Sequence, residues 1–365
     1  MTSLNSLNFS AGPGALPESV LLQVQESIIR VPDVGLSILG VSHRSDWLPE
    51  VVAELENNVR SLLGVGENYH VLFLQGGATQ QFSMVPMNLL RGKNSPAEYL
   101  LTGYWSSKAL AEASLEGPVT AIWSGKDCGY RRLPADEELI FSADAPYMHY
   151  VSNETVEGLQ FHRVLGRDDV PRICDMSSDF LSRPCQAERF ALIYAHAQKN
   201  IGPAGVTVVL IRDELLGNQS ASLPSFLDYR KQVLAHSNLN TPPVFAVYVV
   251  LLVTRWLLNE IGGVAAMAAI NSSKAELLYG ILDKSQGFYR GRVERRDRSM
   301  MNVSFNLSTA EMEQCFLRET QAEGFSGLAG HRAIGGIRAS IYHALTLSAV
   351  ENLAGFMRDF QRRYG

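Results

Sequence analysis

Lys199 sits in the stretch Tyr194-Ala-His-Ala-Gln-Lys-Asn-Ile-Gly-Pro-Ala-Gly205 and is the only fixed charge between Tyr194 and Leu210. An ammonium among apolar neighbours costs free energy unless it finds a partner. Lysine shifts its pKa readily when buried, and a lysine so shifted can bond covalently to an aldehyde. A lysine that snorkels to the surface at a turn would show the same local sequence. Asp175, which ends Val170-Pro-Arg-Ile-Cys-Asp175, weighs against that plainer reading. An amine and a carboxylate at the ends of successive strands would lie where ligands sit in open α/β sheets.

The elements that must hold this pair follow from periodicity. Between Arg189 and Tyr194, Phe190, Leu192 and Tyr194 alternate with Ala191 and Ile193, which predicts a strand. Val206 to Ile211 is apolar and β-branched and predicts a second buried strand. Gly202, Pro203 and Gly205 mark the turn between them. Val170 to Asp175 predicts another short strand. A strand-end Asp followed by a strand-end Lys is what pyridoxal phosphate (PLP) requires. The lysine takes the aldehyde, and the carboxylate keeps the ring nitrogen protonated, so the ring remains an electron sink.

Upstream, Asn8 to Leu16 predicts an extended arm, Pro17 to Ile29 a helix, and Asp46 an N-cap for a helix to Leu63. His70 to Gln75 predicts a buried strand, Gly76-Gly77-Ala78-Thr79 a turn, and Gln80 to Leu90 a helix. That arrangement aims free backbone N–H groups at an anion, here at Ala78 and Thr79. The helix dipole contributes only ~0.3–1 kcal/mol, so a phosphate needs further groups. Glu98 to Tyr104, Val119 to Trp123 and Tyr147 to Ser152 predict strands, with Trp105 opening the element after the first. Phe226 to His236 predicts a loop or short helix. Asn240-Thr-Pro-Pro243 opens an apolar helix from Val244.

Gly262-Gly263 marks a break. Beyond it the pattern predicts helices over 271–284, 309–323 and 347–363 and strands over 302–307 and 337–344, an α+β module distinct from the alternating α/β pattern before it. The expected organisation is a large domain over 16–261, with a mixed, mostly parallel sheet, and a small domain made of 1–15 and 262–365.

With 365 residues, 46% hydrophobic and 19% charged, the chain can bury two ordinary cores. A net charge of -5 argues against a broad nucleic-acid surface. Four cysteines without paired spacing suggest neither zinc nor disulfides but reduced thiols in a cytoplasmic protein. Met1 to Ser10 lacks the basic and apolar regions of a signal peptide. The apolar run Val244 to Val253, broken by Arg255, is too short to span a bilayer, so no membrane partner is expected. No G-x-G-x-x-G follows a strand, which discounts a nicotinamide enzyme.

Ala197-Gln-Lys-Asn-Ile-Gly-Pro-Ala-Gly205, with Asp175-x-Ser-Ser178 and Leu181-Ser-Arg-Pro184, resembles the phosphoserine aminotransferases, class V PLP enzymes of fold-type I. The resemblance extends from Asn8-Phe-Ser-Ala-Gly-Pro13 to Gly335-Gly-Ile-Arg-Ala-Ser-Ile-Tyr342. It implies a PLP-dependent amino transfer between glutamate and 3-phosphohydroxypyruvate, giving O-phosphoserine and 2-oxoglutarate, and possible service in pyridoxine biosynthesis through 4-phosphohydroxythreonine. Lys199 and Asp175 are the implied catalytic pair. Ala78, Thr79, Trp105, Thr155, Gln198, Asn240 and Thr241 are implied to bind the cofactor, the last two across a homodimer interface. His43, Arg44, His331, Arg332 and Arg338 are implied to bind the anionic substrate, Arg338 at its α-carboxylate. Some members of the family carry Arg where Thr79 stands and Ser where Ala11 stands, so the contact made by that Arg must come from elsewhere. Two alternatives keep the same Lys and Asp: another class V aminotransferase or lyase, and a PLP-binding protein without turnover.

Overall fold

The computed structural model describes residues 4–217 and 223–365. Helix α1 (Glu18–Ile29) follows Pro17. Helix α2 (Trp47–Leu63) buries Leu48, Val51, Leu55, Val59 and Leu62, a spacing that puts one face inward. Asp46 occupies its N-cap, but the Asp46 backbone is already helical and its side chain caps nothing. Strand β1 (Tyr69–Gln75) leads through Gly76-Gly77 into α3 (Ala78–Leu89), which starts two residues before the predicted Gln80.

Strand β2 (Ala97–Leu101) stops short of the predicted Tyr104. The Ser106 hydroxyl accepts the N–H groups of Thr102 and Gly103 at 2.9 Å, and helix α4 (Tyr104–Ala113) begins there. Trp105 is therefore held on a helix. Strands β3 (Val119–Ser124) and β4 (Met148–Val151) follow. A small hairpin, β5 (Asn153–Glu154) and β6 (Leu159–Gln160), then precedes β7 (Arg172–Asp175), β8 (Leu192–His196) and β9 (Val206–Arg212). Strand β8 begins after a 3-10 turn that takes up Arg189, so the predicted start at Arg189 was three residues early.

Seven strands form one sheet in the order β1-β9-β8-β7-β4-β2-β3. Strands β3, β2, β4, β7 and β8 run parallel, while β9 is antiparallel to both β8 and β1. This is the mixed, mostly parallel α/β sheet expected. The carboxyl ends of β1, β2, β4, β7 and β8 therefore share one edge, where such sheets bind ligands.

Short helices α5 (Asp213–Gly217) and α6 (Tyr229–Leu234) come next, then α7 (Val244–Trp256), which runs on through a π turn to Ile261. The apolar run thus does not end at Arg255. Val244–Ile261 is long and apolar enough to cross a membrane by length and composition, which corrects the reading of it as too short. Its residues 246–254 are nevertheless all buried against the sheet. Asn240 and Thr241 precede the helix by three or more residues and do not cap it; Pro243 stands at the N-cap. Alternation decides the layers: Cys174, Ile193 and Ala195 pack with α2 and α7, and Ile173, Leu192 and Tyr194 with α3 and α4.

Helix α8 (Val264–Lys284) starts seven residues before the predicted Asn271. Strands β10 (Arg290–Gly291), β11 (Asn302–Asn306) and β12 (Ile337–Ser340) form an antiparallel sheet, interleaved with α9 (Ala310–Ala322) and followed by α10 (Leu347–Tyr364). Strand β12 ends at Ser340, not Ala344. These elements share an apolar cluster that also takes in Phe9 from the N-terminal arm. Phe9 N–H donates to the Ser326 carbonyl at 2.9 Å, and its own carbonyl accepts from Ser340 N–H at 3.2 Å.

Candidate active site

At the carboxyl edge of the sheet, Gly77, Ala78, Thr79, Trp105, Thr155, Asp175, His196, Gln198 and Lys199 line a cavity of about 240 Å³. Each is carried by a chain reversal that the strand order brings together. Lys199 lies on the turn after β8. Asn200 anchors that turn: its Nδ2 donates to the Ser178 carbonyl at 3.1 Å, and its Oδ1 accepts from His343 N–H at 3.4 Å. Gly14 N–H donates to the Gln198 carbonyl at 2.8 Å, so the N-terminal arm lies along the same turn.

The Lys199 ammonium donates to Thr155 Oγ1 at 2.7 Å, and its Nζ lies 5.7 Å from the centre of the Trp105 ring. Burial lowers the Lys199 pKa to about 8; the Asp175 charge pulls it upward and the Arg338 charge pushes it further down. Asp175 is 4% exposed, and its Oδ1 accepts from Ser177 N–H at 2.8 Å. Burial raises the Asp175 pKa, and Lys199 partly opposes that rise. Lysine and aspartate thus line the same cavity and feel each other's charge.

The Gly-Gly turn is required locally. Gly76 has φ +84°, and a Cβ there would fall 1.9 Å from Gln80 Oε1. The turn leaves Ala78 and Thr79 as the first residues of α3, with N–H groups directed off the helix end. The N-terminus of α4 is treated oppositely. Glu154 accepts from Trp105 N–H at 3.1 Å and Ser106 N–H at 3.0 Å, and Glu157 accepts from Tyr104 N–H at 2.9 Å. Two buried glutamate side chains thus fix the helix that carries Trp105. Burial and then the neighbouring Glu154 push the Glu157 pKa up to about 8.

Arg338 lies on β12, an edge strand by order, yet is only 9% exposed. Its Nη1 donates to the Thr155 carbonyl at 3.4 Å, and its Nε has no partner among the described residues. A nearly buried guanidinium with an orphaned donor is suited to a carboxylate ligand. His331 packs against Tyr104, ring centroids 4.7 Å apart, and burial lowers its pKa.

Other predicted residues do not reach the cavity within one chain. Arg44, Arg332, Asn240 and Thr241 are exposed and His43 is half-buried. The His43 carbonyl accepts from Asn238 Nδ2 at 3.1 Å, and the Thr241 carbonyl accepts from Gln75. Sequence reasoning missed His196, Ser177 and Glu154. His196 and Ser177 stand within quoted motifs and Glu154 adjoins Thr155, so adjacency was the only signal available.

The chain matches the family described as Aminotransferase class-V over residues 6–353. It is 48% identical over 356 residues to a phosphoserine aminotransferase from Hahella chejuensis, covering 98% of each chain. It is 45% identical over 354 residues to one from Rhodopirellula baltica, covering 97% of this chain and 94% of the relative. Among solved structures it superposes on phosphoserine aminotransferase from Bacillus circulans subsp. alkalophilus with a TM-score of 0.95, at 44% identity and 98% coverage of both chains. The PLP-bound phosphoserine aminotransferase from Trichomonas vaginalis gives a TM-score of 0.90 at 36% identity, covering 96% of this chain and 99% of that one. Taken with the lysine–aspartate cavity, these likenesses show that the chain belongs to the class V aminotransferase family.

Proposed function

We propose that this protein is a PLP-dependent phosphoserine aminotransferase, moving an amino group reversibly between glutamate and 3-phosphohydroxypyruvate. The observation that carries the reading is the single cavity shared by Lys199, Asp175 and the N-terminus of α3. The residues present fit PLP. Asp175 is a buried carboxylate in want of a cation, Lys199 is an amine of lowered pKa, and the α3 end offers N–H groups to a phosphate. When bound, PLP supplies an electron sink for the negative charge left by loss of the substrate α-proton.

The remaining work belongs to the protein. Lys199 Nζ would hold the cofactor through its aldehyde and, as a free amine, would take and return the substrate α-proton. Its pKa near 8 makes the neutral amine accessible near physiological pH. Asp175 holds a proton on the ring nitrogen by charge pairing. Trp105 offers an aromatic face, held by Glu154, and Arg338 binds the α-carboxylate. Glutamate and phosphoserine both carry a distal anion, so His43, Arg44, His331 and Arg332 serve both half-reactions. Thr79 brings no cation, which leaves the phosphate of the substrate to that group.

Because Arg44, Asn240 and Thr241 are exposed in one chain, the site is completed by a second copy in a homodimer. The large domain spans 16–261 and the small domain 1–15 and 262–365; the separate apolar cluster joining Phe9 to the C-terminal elements supports that division. The protein works in the cytoplasm on small anionic substrates, without nucleic-acid or membrane partners, in serine biosynthesis and, through 4-phosphohydroxythreonine, in pyridoxine biosynthesis. The visible spectrum of the purified protein, before and after phosphoserine or glutamate, tests this. Conversion of the bound cofactor to its amine form by both donors is expected. Absorbance that neither donor changes would leave a binding protein without turnover, and conversion by uncharged amino acids alone would indicate another class V substrate.

A further inference from the structure

His196 is the last residue of β8 and lines the cavity beside Gly77, Ala78 and Thr79. Its ring lies against the Gly76-Gly77 turn: a Cβ on Gly77 would stand 3.3 Å from both Cε1 and Nδ1. Its backbone is tied to the aspartate side of the site, since His196 N–H donates to Ser177 Oγ at 3.1 Å and Ser177 N–H donates to Asp175 Oδ1. On the far side of the ring, Gly205 N–H donates to His196 Nε2 at 3.4 Å. An amide can only donate, so Nε2 is the unprotonated nitrogen and the proton sits on Nδ1. Burial and the nearby Lys199 charge favour this neutral form, holding the pKa down at about 4. Nδ1–H has no partner among the described residues and lies against the turn that opens α3.

We propose that His196 is a further cofactor-binding residue, donating from Nδ1–H to the phosphate seated at the N-terminus of α3. This rests on the reading of the cavity as a PLP site and extends it. A phosphate dianion needs more donors than one helix end supplies, and Thr79 contributes no charge. The Gly205 amide is the positioning element, because it selects the tautomer that presents a donor at Nδ1. Gly77 makes the approach possible, since any side chain there would crowd the ring.

The test uses apoprotein titrated with PLP and, separately, with pyridoxal, which lacks the phosphate. Wild type, His196→Leu and His196→Asn are compared; asparagine replaces the donor near the Nδ1 position. His196→Leu is expected to weaken PLP roughly ten-fold or more, the loss of one hydrogen bond to a charged group. Pyridoxal should be unaffected, and His196→Asn should recover most of the PLP affinity. Equal losses for PLP and pyridoxal would overturn the phosphate contact and leave only ring packing. Unchanged PLP affinity in His196→Leu would overturn it as well. Failure of the wild type to bind PLP at all would instead overturn the underlying reading of the site.

Discussion

The Lys199 ammonium and the Thr155 hydroxyl lie 2.7 Å apart, which ties the turn after β8 to the hairpin that also carries Glu154 and Glu157. Arg338 reaches the same residue through the Thr155 carbonyl. Amine, guanidinium and the buried carboxylates are therefore mechanically and electrostatically linked.

The first prediction concerns the titration of Lys199. In apoprotein, its rate of acylation should rise with pH around a midpoint near 8. The Arg338 cation disfavours the ammonium, so Arg338→Met should move the midpoint up. The Asp175 anion favours it, so Asp175→Asn should move the midpoint down. Peptide mapping of the acylated lysine at a series of pH values checks both signs; shifts in the opposite directions would contradict the charge assignments.

Asp175→Asn should also cut turnover by on the order of 10²-fold or more, since a neutral amide cannot pair with a protonated ring nitrogen. The protein should still fold, because the Ser177 N–H can donate to the amide oxygen. Steady-state kinetics with phosphoserine and 2-oxoglutarate measures this. Turnover within a few-fold of wild type would remove the electron-sink role from Asp175.

The proposed function divides substrate recognition between two groups. Arg338→Ala should raise KM for phosphoserine and for an uncharged amino acid alike, by roughly ten-fold or more, through loss of the carboxylate contact. Arg44→Ala and Arg332→Ala should weaken phosphoserine selectively. A substrate panel separates the cases, and uniform losses in Arg44→Ala or Arg332→Ala would remove their phosphate role.

How much of this was legible in the sequence differs by residue. Lys199 and Asp175 stood out because each carries a charge at the end of an apolar run, and their strands follow from alternation. The antiparallel placement of β9 was not legible, since the pairing of β9 with β1 joins residues far apart in the chain. Trp105 was placed after a strand reaching Tyr104 because Thr102 and Gly103 give no strong stop signal; the Ser106 hydroxyl decides that turn only once folded. His196 was passed over because nothing in one strand reveals the Gly77 turn two strands away. Arg44 and Thr241 are exposed in a single chain, so the roles proposed for them rest on the family resemblance and the proposed homodimer, not on pattern.

Glu157 offers a stability test. In the folded protein burial and the neighbouring Glu154 push its carboxyl pKa up to about 8, from the ordinary 4.5. Between those values the unfolded chain binds fewer protons, so this group costs stability increasingly as pH rises. Glu157→Gln keeps an oxygen for Tyr104 N–H and avoids that cost. Thermal melts should show the variant gaining on wild type from pH 5 to pH 8. A gap that narrows toward high pH would contradict the sign.

Lys274 is buried in α8 and donates to the carbonyls of Ile341, Tyr342 and Leu345 at 3.0, 2.8 and 3.1 Å. That loop meets Asn200, next to Lys199, through His343. Lys274→Met removes the donor shared by three buried carbonyls, of which Tyr342 keeps a bond from Leu345 N–H, and should cost on the order of 3 kcal/mol. Chemical denaturation measures the loss; a change below ~0.5 kcal/mol would show that the carbonyls find other donors.

The most direct test of the central claim is the covalent attachment point. Borohydride reduction of the purified holoprotein, followed by digestion and mass spectrometry, should place a pyridoxyl phosphate group on the Lys199 side chain, and Lys199→Ala should carry none. A label on any other lysine, or its persistence in Lys199→Ala, would contradict the account.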